Sequence, residues 1–268
     1  MKMNLGARES PIDNRDIQLG RLQPNISYPE SFISNIDIEP LYQSSYPMCG
    51  AFSGTHLAMS FERKEFGERI KLSPIFLWKM IKMIDGFPPE AGTDLRSIFK
   101  ALSKYGVCKY DLLPIEYGVD LSTISKNDTT DLQREDAHPR MTSDVGYGVG
   151  YDIESLKKDI FLYGYAIVLL KIGNTWWNKT EVSKPSKIDG GHFVEVYGYD
   201  KDGIFIVDSA DKNVPFKKIL NTVPIIEYRA AFDCENWKIK IMINHVPILS
   251  KIVELLQKLI YAKKVGTN

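Results

Sequence analysis

Apolar positions recur at helical spacing through the first half of the chain and at strand spacing through much of the second. Ala51, Phe52, Thr55, Ala58, Met59, Glu62 and Phe66 form one stripe closed by Gly67, predicting a helix that begins near Cys49. Pro47 suits the first turn of that helix, with a serine or Tyr46 just upstream as cap. Ser73-Pro74 predicts a second helix ending near Gly86, with Ser73 as cap and Pro74 in the first position. After a Gly/Pro-rich loop from Gly86 to Gly92, Thr93 is placed to cap a third helix. Leu95, Ile98, Phe99 and Leu102 form its stripe and Gly106 ends it. Residues 115–151 are polar and weakly periodic, predicting a long surface excursion with a few short elements. Asp152 can cap a helix running to about Tyr163, with Gly164 as its stop.

From there the period changes to that of strands. Tyr165–Ile172 is a continuous apolar run, and His192–Tyr199 with Ile204–Asp208 predicts a hairpin around Lys201-Asp202-Gly203. Val223–Phe232 predicts a further strand. Trp237, Ile239, Ile241 and Ile243 alternate with Lys238, Lys240 and Met242, as a half-buried strand does. Leu249, Ile252, Val253, Leu256, Leu259 and Ile260 then form the apolar face of a helix over residues 247–264. Packing on its own domain is the first reading of that face, docking of a protein partner the second and membrane contact the third. Residues 1–30, rich in Asn, Pro, Arg and Asp, read as an extended arm. Helices first and strands second predict an α+β fold of two lobes, and a cleft between lobes commonly holds an active site. The expected division is an arm over 1–30, a main domain over 31–245 and a C-terminal helix over 246–268.

Composition narrows the partners. The chain has 268 residues, 44% hydrophobic and 25% charged, with 34 basic against 34 acidic side chains. That balance gives no reason to expect nucleic acid or an anionic membrane as the main partner. No run approaches the length of a membrane span, and the polar N-terminus lacks the apolar core of a signal peptide. Three cysteines, Cys49, Cys108 and Cys234, are too few for a disulfide scaffold. No CxxC or paired-histidine spacing suggests a metal site, and no cofactor motif is present. The expected setting is the cytoplasm or another reducing compartment, with virion or phage association if the source is viral.

Chemistry concentrates at two places. Cys49 falls where a helix begins, and the partial positive charge there favours the thiolate. A buried structural role is the commoner one for a cysteine, and a solvated loop side chain the commoner one for Gln43, six residues upstream. Of the four histidines, His56 lies seven residues along the same helix. At roughly 1.5 Å per residue it is about 10.5 Å up the axis and out of reach of the thiol. His138 sits in the polar excursion, where a solvated side chain is expected, and His245 has no third group near it in sequence. His192 instead follows Gly190-Gly191, glycines that leave room for a substrate backbone or form an ordinary turn. Asp208, sixteen residues on, ends the returning strand, so a hairpin carries it toward His192. An odd-length loop with Gly203 in the left-handed region keeps the two on one face, with a bulge or twist absorbing the remaining offset. The alternative for Asp208 is a strand-end carboxylate facing water.

Taken together, these residues resemble the papain-like cysteine peptidases, of the compact bacterial and viral type. Gln43 and Cys49 have that family's spacing from oxyanion-hole glutamine to nucleophile. Gly190-Gly191-His192 with Val194, Val196, Gly198 and Tyr199 is similar to the strand of its catalytic histidine, and Asp208 stands at the spacing of its asparagine. Leu72-Ser73-Pro74, Ala101-Leu102, Tyr105-Gly106-Val107-Cys108 and the arm Ser10–Asp16 also resemble family segments, so the likeness runs from about residue 7 to 245. It implies a helical N-terminal lobe, an antiparallel β-rich C-terminal lobe and an active site in the cleft between them. It also implies cleavage of a polypeptide through a Cys49–His192–Asp208 triad, with Gln43 serving the oxyanion and Gly92 and Gly191 meeting substrate backbone. The departures are Asp208 in place of asparagine, Ala210 in place of the tryptophan that covers the His–Asn bond, Gly50 after the nucleophile and Tyr46 in place of a disulfide cysteine. Trp176 or Trp177 is then the expected cover. With only 48 residues before Cys49, the arm is expected to strap the domain and not to fill the cleft. The alternatives are an amidase, isopeptidase or acyltransferase of the same fold, and a silent binding or structural protein.

Overall fold

The computed structural model describes residues 5–14, 16, 26–67, 69–141 and 147–231. All of these lie in the first of the two units, Met1–Phe232 and Asp233–Asn268, into which the chain divides. The expected strand over 237–243, the helix over 247–264, Cys234, His245 and the domain limit at 245 fall outside the described residues.

Among the described residues two short strands, β1 (Ala7–Arg8) and β2 (Phe32–Ile33), precede a helical core. Helix α1 spans Cys49–Phe66 and is buried through its first thirteen residues, from Cys49 to Phe61. Helix α2 (Pro74–Asp85) starts where Ser73 accepts the Phe76 N–H, with Pro74 in its first turn. Strand β3 (Thr93–Asp94) leads directly into α3 (Leu95–Tyr105). The cap of α3 is Asp94, which accepts the Ser97 N–H, and not Thr93. Thr93 is withdrawn into β3 because its N–H is taken by Gly6 O at 2.9 Å. Helices α4 (Leu121–Ile124) and α5 (Asp131–Ala137) are short, as the polar excursion predicts. That excursion also yields β4 (Tyr147–Gly150), whose Tyr-Gly-Val-Gly sequence carries no strand pattern. Helix α6 (Ile153–Tyr163) is capped by Asp152 on the Ser155 N–H and closed by Gly164 at φ 99°.

Strands β5 (Ala166–Gly173), β6 (Glu181–Val182), β7 (Ile188–Tyr199), β8 (Gly203–Val207), β9 (Phe216–Leu220) and β10 (Ile225–Ala231) follow within the described residues. The sheet order is β4-β10-β5-β7-β8-β9-β6, with β2 added alongside β7. Its pairs are antiparallel except β6 with β9. One core gathers α1, α2 and α3 with Phe193 and Val207 of the sheet, and a second gathers α6 with Val168, Val194 and Ile206.

The hairpin that carries His192 and Asp208 differs from the odd-loop expectation. Tyr199 pairs with Ile204 and the Asp200 N–H donates to Gly203 O at 2.9 Å, so the turn is the two residues Lys201-Asp202. Asp200 Oδ1 draws it tight by accepting from both Asp202 and Gly203 N–H, and Gly203 does not take a positive φ. Continued without interruption, that register would set Asp208 opposite Glu195, on the other face from His192. A bulge at Tyr197 shifts it, so that Val207 pairs with Glu195 and Asp208 falls opposite Val194. Strand residues alternate faces, so His192 and Asp208 now share one.

The other face of β7 carries a cost. Glu195 is fully buried and neither carboxyl oxygen completes a hydrogen bond. Burial pushes its pKa from 4.5 up to about 8, with Ser60 opposing in part. A carboxyl raised on folding contributes stability below its unfolded pKa and loses it as pH rises toward 8. Between about pH 5 and 7.5 the loss is on the order of 3 kcal/mol. Glu195→Gln is expected to flatten this slope in denaturant titrations, and a slope equal to the parent's would contradict the assignment.

Candidate active site

Cys49 is the first residue of α1, and the preceding Met48 places no side chain on the N–H groups of the first turn. Neither Ser44, Ser45 nor Tyr46 caps the helix, and Pro47 lies before it instead of in its first turn. Tyr46 is committed elsewhere: its hydroxyl donates to Val119 O at 2.8 Å and accepts the Gly118 N–H at 3.0 Å. The uncapped helix end leaves its N–H groups and dipole directed at the position of the thiol.

His192 comes from β7. Its Nε2 lies 2.8 Å from Asp208 Oδ1, and both side chains are fully buried. Nδ1 makes no hydrogen bond of ordinary geometry, while the Cys49 thiol is near enough to act on the ring electrostatically. Burial pulls the imidazole pKa down, but the bonds and charges of Asp208 and Cys49 outweigh it and carry the value up to about 9. Asp208 is held on three sides, since Oδ1 also accepts the Ala210 N–H at 2.8 Å and Oδ2 accepts Trp176 Nε1 at 2.7 Å. It is 1% exposed, so it is not a strand-end carboxylate facing water. Trp176 also stands edge-on to His192, with ring centroids 5.5 Å apart, and supplies the cover that Ala210 lacks.

Gln43 is fully buried, not a solvated loop side chain. Its Oε1 accepts from Ser209 Oγ at 2.6 Å and one Nε2 hydrogen goes to Tyr46 O at 3.0 Å, which leaves the second. Ser209, next to Asp208, also accepts the Gln43 N–H on its carbonyl; a serine in a loop carries no sequence signal for this. On the Gln43 side lies a pocket of about 470 Å³ lined by Ser44, Trp177, Ala210 and Lys212.

The other histidines do not join the site. His56 is buried with Nε2 accepting the Leu41 N–H at 2.8 Å, and burial lowers its pKa to about 4, Asp208 opposing. His138 is exposed, as expected. Among the described residues no cluster of His, Cys, Asp or Glu could hold a metal, and no helix is long and apolar enough to cross a membrane.

Gly92 and Gly191 both abut backbone, and it is that of the chain's own N-terminal arm. Gly92 has φ 72°, and a Cβ built on it would stand 1.7 Å from Gly6 O. A Cβ on Gly191 would lie 2.8 Å from Ala7 O, and one on Gly6 would meet Pro47 O at 2.2 Å. Strand β1 pairs in parallel with β3, Ala7 opposite Thr93. Lys82 fixes the Gly92 loop by donating to Gly92 O while pairing with Asp85 at 2.8 Å. Residues 5–7 of the arm therefore pass between Pro47 and Gly92 on one side and Gly190-Gly191 on the other, close in sequence to Cys49 and His192. Cys49, His192 and Gln43 are each 0% exposed. Further along the arm, Arg96 clamps Asp16 with both terminal nitrogens, at 2.8 and 2.6 Å, and also reaches Asp13 and Pro11 O. Arg229 backs the clamp, and Glu227 accepts the Ser10 N–H.

The two described cysteines are both unpaired and buried, but differ in setting. Burial pushes the Cys108 thiol up to about 12, whereas Cys49 has a helix N-terminus and an imidazole beside it. Iodoacetamide at mildly acidic pH is expected to modify Cys49 ahead of Cys108 and Cys234 once residues 5–8 are displaced. Peptide mapping reads the outcome, and preferential modification of either other cysteine would contradict it.

The described fold is that of the papain-like cysteine proteases. Xylellain, a cysteine protease from Xylella fastidiosa, superposes with a TM-score of 0.72 at 19% identity, over 87% of this chain and 97% of that one. Procathepsin B S9 from Trypanosoma congolense gives 0.65 at 14% identity, over 86% of each chain. Procathepsin L 3 of Tenebrio molitor larval midgut gives 0.58 at 17%, over 81% of this chain and 74% of that one. Sequence comparison matches no protein-family model and no curated protein.

Proposed function

We propose that the protein is a cysteine peptidase that rests with its own residues 5–8 in the substrate groove. The observation that carries the reading is the convergence of Cys49 at an uncapped helix end, His192 bonded to Asp208, and Gln43 with one amide hydrogen left over. In the proposed reaction the Cys49 thiolate attacks the scissile carbonyl carbon and a C–S bond forms. The carbonyl electrons pass to oxygen, where the Gln43 amide and the Cys49 N–H stabilise them. The imidazolium of His192 gives its Nδ1 proton to the amide nitrogen, the C–N bond breaks and the amine leaves. Water then attacks the thioester, giving its proton to His192, and the acid departs as the thiolate returns. Asp208 accepts from Nε2 throughout, so it fixes the ring's orientation and favours its charged form.

The groove between Gly92 and Gly191 suits an extended backbone, which supports a polypeptide substrate over a compact amide. Transfer to an amine in place of water uses the same residues. Incubating the Gly6→Val protein, whose added side chain would clash with Pro47 O and displace the arm, with a peptide and a free amine acceptor separates the two. Mass spectrometry is expected to find mainly the free acid, and a predominance of the amide would move the assignment to an acyltransferase.

A further inference from the structure

Behind Asp208 stands a buried cation that no step of the proposed reaction uses. Lys217 projects from β9 with no exposed side-chain surface. Its ammonium donates to Asp211 Oδ2 at 2.7 Å, to Trp176 O at 3.0 Å and to Lys179 O at 3.1 Å, which occupies all three hydrogens. It lies 3.8 Å from Asp208 Oδ2 and 5.6 Å from the centre of the Trp176 ring. An ammonium is costly to bury unless it is paired and bonded, so this placement needs a reason. Two acids are at hand to supply one. Asp208 faces it from the end of β8, and Asp211 from the turn that follows, itself fixed by the Asn178 N–H at 2.7 Å. The other titratable groups around Asp208 are His192 on β7 and Cys49 and His56 on α1. When Cys49 and His192 form a thiolate–imidazolium pair their charges cancel, and His56 is neutral above its lowered pKa. Two carboxylates then share one buried cation, Lys217.

We propose that Lys217 is a positioning residue for the His192–Asp208 pair. Its charge offsets the two carboxylates, so that the imidazolium is supported without being held against giving up its proton. Its bonds to the Trp176 and Lys179 carbonyls keep the Trp176 indole on Asp208. The inference rests on the proposed reading of Cys49 and His192 as the reacting pair.

The test is the titration of the His192 ring, followed by NMR on the full chain labelled with 15N-histidine, which requires no turnover. Lys217→Gln keeps a donor for the carbonyls and removes the charge, so the midpoint is expected to rise by about half to one pH unit. Asp211→Asn removes a carboxylate and is expected to lower it by a similar amount. Opposite signs are the signature of charge, and a lysine that only staples the loop would move neither midpoint. Unchanged midpoints, or shifts in the same direction, overturn the proposal. If Lys217→Gln does not fold, Asp211→Asn decides alone: a lowered midpoint supports the proposal and an unmoved one overturns it. Peptide cleavage by the Gly6→Val protein is assayed beside it. Opposite shifts without cleavage by that protein would leave the Lys217 inference standing and sink the peptidase reading, and cleavage without shifts would do the reverse.

Discussion

Gly6→Val is expected to raise kcat/KM on a peptide substrate by about a hundredfold. The hydrogen of Gly6 points into backbone: a Cβ there would lie 2.2 Å from Pro47 O and 2.9 Å from the Gly92 Cα. Neither neighbour can yield by rotating a side chain, so the arm must leave the groove for the branched residue to be accommodated. On the proposed reading, the parent turns over only in the fraction of molecules whose groove is open, and its apparent affinity is reduced by that fraction. A short parallel pair, the contact of Arg8 with the Phe87 ring and the Asp16 clamp together hold it closed. An open fraction of about one in a hundred corresponds to roughly 2.7 kcal/mol, a modest sum for that set of contacts. Asp16→Asn, which weakens the clamp without touching the groove, is expected to raise activity by a smaller factor. A Gly6→Val protein that folds and turns over at the parent's rate would show that residues 5–8 do not limit access.

The second large effect is loss of turnover at the reacting pair. In the Gly6→Val background, Cys49→Ala removes the nucleophile and His192→Ala the proton carrier. Each is expected to lower kcat/KM by about four orders of magnitude or more. Asp208 grades differently. Asp208→Asn keeps an acceptor for Nε2 and is expected to cost about tenfold, whereas Asp208→Ala frees the ring and is expected to cost about a hundredfold or more. The pH dependence follows from the same bond. Asp208 holds the imidazole pKa up near 9 against burial, so either change lowers it, and the basic limb of kcat/KM moves to lower pH. Because residues that act as a unit are not additive, Cys49→Ala/Asp208→Ala is expected to be no slower than Cys49→Ala. A full rate in Asp208→Ala, beside a dead His192→Ala, would exclude Asp208 from the triad.

Much of the frame is written locally. The helical stripes of α1, α2 and α3, the Ser73 and Asp152 caps and the Gly67, Gly86 and Gly164 stops all follow from spacing and chain stereochemistry within one turn. Strands β5 and β8 are legible because their runs are apolar almost throughout, and β7 from Phe193, Val194 and Val196 ahead of the Lys201-Asp202 turn. Strands β4, β6 and β9 are not, since Tyr-Gly-Val-Gly, Glu-Val and Phe-Lys-Lys-Ile-Leu carry little alternation and are set by their neighbours. The face shared by His192 and Asp208 depends on a two-residue turn and a one-residue bulge, and a slip of one residue flips a face. Nothing in the Phe-Lys-Lys-Ile-Leu run marks Lys217 as interior, and the Trp176 and Lys179 carbonyls that take its hydrogens come from a loop remote in sequence. The position of the arm was hidden for another reason. Gly6 is an ordinary glycine in a polar segment, and what demands it are Pro47 and Gly92, both remote in sequence.

The most direct measurement for the peptidase reading uses a defined peptide mixture and two proteins, Gly6→Val and Gly6→Val/Cys49→Ala. Each is incubated under reducing conditions, and new termini are read by mass spectrometry with Cys49 occupancy monitored in the same run. The account predicts cleavage by the first protein, none by the second, and an acyl mass on Cys49 when the reaction is quenched early. An intact mixture after incubation with a folded Gly6→Val protein whose Cys49 reacts freely with iodoacetamide would contradict it, leaving a reactive thiol in a papain-like fold that does not cut peptides.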